Sequence, residues 1–200
     1  MQPLSNFLAA TAVLLTGAML LSVKPYEQPA QRYDPQFTSD GQMKLPVDYR
    51  HWIYLTTGFD MSYSAASGEP DHHMFDNVFV NPDAYEAFVK TGTWPDKTTF
   101  VLEARSAKGK GSINKRGQFQ DEVMGLEVHV KDSARFKGQW AFFSFDGVKT
   151  SKMIPETASC YTCHAAHGAV DNTFVQFYPT LLPLAKAKGT LSESYKRDPE

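Results

Sequence analysis

The two cysteines of this 200-residue chain stand three positions apart, and a histidine follows the second: Cys160-Tyr161-Thr162-Cys163-His164. Two thiols at that spacing in a helical turn can reach the two vinyl groups on one edge of a porphyrin and form thioethers. The adjacent imidazole then lies under the iron as its proximal ligand, which is the c-type haem attachment pattern. The same residues have other chemistries. A Cys-x-x-Cys pair can be a dithiol redox site, a disulfide, or half of a zinc site recruiting His164 and His167. Zinc needs two more ligands, and no second Cys/His cluster is evident in the sequence. A dithiol site of the usual kind sits near a βαβ pattern, which is absent. One covalent haem c, with His164 on the metal and Cys160 and Cys163 on the ring, is the reading the spacing favours.

No methionine follows the motif, whereas small electron carriers place a ligating Met well downstream of it. A sixth iron ligand would have to come from upstream, with Met61, Met74, Met124, His72, His73 and His129 as formal candidates. Each has an ordinary core, surface or loop role available, so an open distal position is expected. Such an iron binds small gaseous or nitrogen-oxide ligands, and oxidase or peroxidase turnover stays open. An electron carrier with a filled sixth position and a hydroxylamine-oxidising enzyme are the alternatives.

The elements that must position this motif are read from periodicity. From Leu45 onward the apolar residues alternate in short runs over 52–56, 77–80, 98–105, 123–130 and 139–145, the pattern of half-buried strands. One helix lies among them, with Asn81 as cap, Pro82 in its first turn, Ala84, Tyr85, Phe88 and Val89 on one face, and Gly92 at its end. Residues 108–117 read as a loop between strands. Residues 157–168 and 174–188 lose the alternation and read as helix or turn, with Ser159 or Thr157 available to cap the turn that carries the motif. The class is therefore α+β: a mainly antiparallel sheet of about five strands, a helix after the second, and further helices around the C-terminal motif. On the strand at 123–130, Met124, Leu126, Val128 and Val130 share one face and Val123, Glu127 and His129 the other.

A length of 200 residues suits one folded domain. The uncharged, largely apolar run over 7–23 reads as a signal peptide or N-terminal anchor within residues 1–24. Residues 25–44 read as a tether, and 45–200 as the haem domain. The expected location is periplasmic, secreted or membrane-anchored. A net charge of −2 with scattered basic residues gives no nucleic-acid footprint. Aromatic residues make up 13% of the chain and suit either a β core or the wrapping of a large flat apolar group.

Over about 45–184 the sequence resembles the cytochrome P-460 and cytochrome c′-beta group. The pieces that carry this are Leu45-Pro46 with Tyr49-Arg50 and Trp52; Val78-Phe79-Val80-Asn81-Pro82 with Ala84-Tyr85; and Thr91-Gly92 through Asp96. They continue with Gly125-Leu126-Glu127, Val130-Lys131-Asp132, Arg135-Phe136 and Trp140-Ala141-Phe142. The haem motif follows, with Phe174 and Gln176-Phe177-Tyr178-Pro179. The resemblance implies an antiparallel sheet packed on a haem, a homodimer, a five-coordinate iron on His164, and a distal carboxylate at Glu127. Members with a porphyrin-bonded lysine carry it in a Val-Lys-Glu step, which here is Val101-Leu102-Glu103. Leu102 has no nucleophile, so the resemblance is to the gas-binding c′-beta side. Phe75, Phe100 or Leu102 is expected to present an apolar, dry surface to the distal pocket. The redox partner is not legible.

Overall fold

The computed structural model describes residues 33–63 and 72–197. The apolar run at 7–23 and the first part of the tether lie outside the described residues. The elements in chain order are β1 (Met43–Lys44), β2 (Ile53–Phe59), β3 (Met74–Val80), α1 (Pro82–Thr91), β4 (Thr99–Lys108), β5 (Phe119–Lys131), β6 (Trp140–Phe145), β7 (Thr150–Ser151), α2 (Ser159–His167), α3 (Leu182–Lys188) and α4 (Glu193–Arg197). Among the described residues β2 to β6 form one five-stranded sheet in sequence order, and every neighbouring pair is antiparallel. β1 and β7 make a separate two-stranded ladder. Each of the five expected strands overlaps one strand of the sheet.

Period-two alternation gives this sheet two faces, both covered. Val101, Val128, Val130, Ala141, Phe143 and Phe145 point to one side, where Met43, Tyr49, Trp52 and Phe136 pack on them. Phe100 and Trp140 point to the other, against Phe88, Trp94, Tyr178, Leu181 and Ala185 from α1 and the C-terminal segments. A tether up to residue 44 does not hold over its described part. Tyr33 and Phe37 pack on the first core, Met43 is fully buried, and Phe37 meets the rings of Phe136 and Phe143 edge-on at 6.1 Å each. These apolar side chains cover a sheet face that would otherwise be wet.

α1 begins after Asn81 and ends at Gly92, whose φ of 78° is the left-handed conformation that favours glycine at a helix end. The Asn81 side chain does not cap its own helix. Its Oδ1 accepts from the Thr99 backbone N–H at 2.8 Å and ties α1 to β4. Ala84 and Phe88 are buried as the periodicity requires, whereas Val89 is exposed because the apolar stripe is narrower than the four residues suggested. On β5 the expected alternation holds for Leu126 to Val130 but fails upstream. Register shifts opposite Ala104–Ala107 leave both Val123 and Met124 exposed.

Beneath the first core face lies a polar knot. Glu103 accepts from Arg50 Nε at 2.9 Å and Arg105 at 2.9 Å, and from the Tyr49 hydroxyl. Burial raises the Glu103 carboxyl, but the hydrogen bonds from Tyr49, Arg105 and Arg50 outweigh it and hold the group below its ordinary range. The knot fastens the 49–51 turn across β4, directly behind Leu102.

Candidate functional site

Sheet residues of even number on β4 face a cavity between the sheet and the C-terminal segments. Phe100 and Leu102 of β4, Glu127 and His129 of β5, Asp76 and Val78 of β3, Phe142 of β6, and Thr56, Gly58, Met61 and Tyr63 line it. His164, Thr173, Phe174, Phe177 and Tyr178 close it from the other side.

His164 is delivered by α2. That short helix starts after Ala158, with no side-chain cap, so neither Ser159 nor Thr157 has the expected capping role. It is held by tertiary contacts instead. The Tyr161 hydroxyl donates to the Ile154 carbonyl at 2.9 Å and accepts from the Phe142 N–H at 3.3 Å, while its ring meets Phe142 edge-on at 4.8 Å. At the other end Gln176 bridges two backbone groups, accepting from the Ala169 N–H at 3.0 Å and donating to the His167 carbonyl at 2.8 Å. Cys160 and Cys163 are unpaired and partly buried, one turn apart on α2.

The His164 ring is fixed by its neighbours. Nδ1 bonds the Asn172 carbonyl at 2.9 Å, which makes Nδ1 the protonated nitrogen, because a carbonyl only accepts. Nε2 is thereby left with its lone pair. Burial lowers the imidazole's affinity for a proton, against the opposing pull of the Asn172 carbonyl, so the ring is neutral near pH 7. Phe174 lies against it at 4.2 Å between ring centroids and Phe142 at 4.7 Å.

His129 is a feature that sequence reasoning weighed only as one formal ligand among six. Its ring stacks on Phe142 at 4.0 Å and 11°, and meets His164 edge-to-face at 4.9 Å. Burial, then the neighbouring His164, pushes its proton affinity well down, and its buried Nε2 has no hydrogen-bond partner. Of the other candidates, Met61 lines the cavity. Met74 and Met124 are exposed and away from it, His72 is exposed, and His73 bonds Asp60 at 2.5 Å and stacks on Phe59.

The wall around Leu102 is mixed, not uniformly dry. In the ladder Leu102 stands between Val78 and Glu127, and Asp76 is two residues from Val78 on the same face. Glu127 is exposed at the cavity mouth; partial desolvation, followed by the charges of Asp76 and Asp146, raises its carboxyl above its ordinary value. Asp76 is raised likewise by burial and then by Asp60. Phe75, expected as an apolar cap, points away because alternation puts Asp76 and Val78 inward. It packs on Phe59 at 4.8 Å instead.

A large flat apolar group with one metal suits these residues. The walls are aromatic, two thiols and a neutral imidazole project from one helix, and an orphaned polar atom is buried at the edge. Among the described residues no group of three or more His, Cys, Asp or Glu gathers to hold a metal ion, so the further ligands that a zinc site needs are not assembled. Comparison with curated proteins found none that matches. Residues 46–175, more than half the chain, match the family model described as Cytochrome P460. The covering segments, the motif helix and the sheet wall all fall within or beside that match, and the chain belongs to the cytochrome P460 family of haem-binding cytochromes.

Proposed function

We propose that this protein is an exported mono-haem c-type cytochrome that binds NO or related small nitrogen oxides at an open iron position. Cys160 and Cys163 hold the porphyrin through thioethers, and His164 Nε2 holds the iron. When bound, the haem would supply a redox-active metal able to take a small neutral ligand. The observation that carries the reading is the His164 ring: Nδ1 is committed to the Asn172 carbonyl, and Nε2 is free beside an aromatic cavity.

The rest of the cavity supports a small ligand. Phe100, Leu102 and Val78 offer apolar contact, and they admit a diatomic without demanding hydrogen bonds from it. Glu127, with its raised carboxyl, is placed to take or give a proton at the cavity mouth. A filled sixth position is less well supported. Of the six formal ligands only Met61 and His129 line the cavity, and His129 is packed edge-to-face on His164 at 4.9 Å; Met74, Met124, His72 and His73 lie elsewhere. Leu102 offers no amine to the ring, so the hydroxylamine-oxidising chemistry associated with a lysine-bonded porphyrin is not the favoured activity. The protein acts as a homodimer outside the cytoplasm, in the periplasm, secreted, or anchored by its apolar N-terminal run.

A side-by-side assay tests this. Ferrous protein is titrated with NO, and ferric protein is given hydroxylamine with a chemical electron acceptor. Stoichiometric NO binding with slow or absent hydroxylamine oxidation supports the reading. Rapid hydroxylamine turnover with a cross-linked haem peptide after digestion overturns it in favour of the enzyme.

A further inference from the structure

Directly after α2 the chain makes a tight reversal. Val170 and Thr173 bond each other through both backbone pairs, at 3.3 and 2.9 Å, and the two residues between them, Asp171 and Asn172, have φ of 50° and 58°. Positive φ at both central positions is the type I′ turn, which strongly prefers Asn-Gly or Asp-Gly. Here neither central residue is glycine, so the turn is held by its surroundings. Asp171 forms an ion pair with Lys131 Nζ and accepts from the Trp140 indole at 3.5 Å. Lys131 is largely buried. Its ammonium also donates to the Trp94 carbonyl at 2.9 Å and lies 5.6 Å from the Trp140 ring centroid. Thr173, in turn, accepts from the Trp94 indole at 2.9 Å. The carbonyl presented by this clamped turn is that of Asn172, which holds His164 Nδ1.

We propose that Lys131 and Asp171 are positioning residues for the proximal ligand: they fix the Asn172 carbonyl and so set how strongly His164 donates to the iron. The inference rests on the reading of His164 as that ligand. A fixed acceptor on Nδ1–H orients the ring and raises the basicity of Nε2, as outer partners of metal-bound histidines do. The clamp would thereby set how firmly His164 holds the iron when a small ligand such as NO competes for it.

The test compares Lys131→Met, Asp171→Asn, Lys131→Arg and Lys97→Met in haem-loaded protein, by resonance Raman of the ferrous iron–histidine stretch and by the spectrum after NO. Lys97 pairs at 2.5 Å with Asp132, the residue that follows Lys131, and makes no bond to the turn. Lys131→Met and Asp171→Asn should both move the stretch to lower frequency and increase the share of protein that loses its histidine bond with NO. Lys131→Arg should keep the wild-type band, and Lys97→Met should leave it unmoved. The first two substitutions change the local charge in opposite directions, so a through-space charge effect would drive their bands apart, while loss of the clamp moves both the same way. Opposite shifts, or none, overturn the inference. A wild-type protein with no iron–histidine stretch overturns the underlying assignment of His164 instead. Should Asp171→Asn fail to assemble haem, the Lys131 pair decides alone.

Discussion

Gly168 is where α2 meets the Asp171–Asn172 turn, and replacing it with alanine sets two effects of opposite sign against each other. Its φ of −64° and ψ of 124° suit any residue. A Gly→Ala change at such a position ordinarily stabilises by about 0.4–1 kcal/mol, by restricting the unfolded chain. The added Cβ, however, would stand 2.7 Å from the His164 carbonyl oxygen, 2.8 Å from Asn172 C and 2.8 Å from Thr173 N. All three are backbone atoms, and carbon atoms in contact prefer about 3.5–4.0 Å, so relief requires the helix end and the turn to part. Overpacking of this kind costs about 1–3 kcal/mol. The clash should win, leaving a net loss of about 1–2 kcal/mol, or roughly 2–8 °C in Tm for a domain of this size. Parting the two segments also draws the Asn172 carbonyl away from His164 Nδ1, so the variant should show a weakened iron–histidine bond along with lower stability. Urea titration at matched m-value measures the first effect and resonance Raman the second. A raised midpoint with unchanged m would refute the reasoning, since it would mean that the two segments yield at no cost.

Three further outcomes follow. Acid-acetone extraction of denatured protein should leave a chain heavier by one haem, and Cys160→Ala with Cys163→Ala should release the pigment, as intact mass spectrometry would record. Glu127→Gln should stabilise the protein by up to about 1 kcal/mol at neutral pH, a small figure because Glu127 is exposed. The sign follows from its raised carboxyl: the native state prefers the protonated form, so stability is full below the unfolded value and declines as pH rises through the folded one. The gain from Gln should therefore vanish at acid pH, and melting curves at pH 3 and 7 test this. Leu102→Lys should place an amine on the cavity wall beside Glu127, and oxidising conditions should then yield a haem-linked lysine peptide; unchanged digestion products after oxidation would mean that the position does not reach the ring.

Sheet and motif were legible in the sequence for different reasons. Alternation between Ile53 and Phe145 reports the strands, and its period put Glu127 and His129 on one face; that this face is the cavity side was implied for Glu127 by the family resemblance and is placed for both by the structure. The boundaries of β5 were less legible because register shifts against β4 break the period near Val123 and Met124. Phe75 was misplaced because its pocket role was implied by the resemblance alone and the expected strand began at Asn77; β3 starts at Met74, and its parity sends Phe75 outward. No side chain takes the capping role expected of Ser159 or Thr157; α2 is anchored instead through Tyr161 to the Ile154 carbonyl near its start and through Gln176 to the His167 carbonyl at its end. The clamp of Lys131 and Asp171 spans 40 positions and carries no local pattern. Its one sequence trace is the Asp171-Asn172 pair, a dipeptide that tolerates positive φ, directly after the motif.

The central claim, an open iron on His164, is tested most directly by the optical spectrum of the ferrous protein before and after CO. The account predicts a high-spin spectrum that converts to a low-spin adduct at one CO per haem. It also predicts that Met61→Ala and His129→Ala leave the starting spin state unchanged. A low-spin ferrous spectrum that resists CO, and becomes high-spin when Met61 or His129 is replaced, would contradict it and show the protein to be an electron carrier with both axial positions filled.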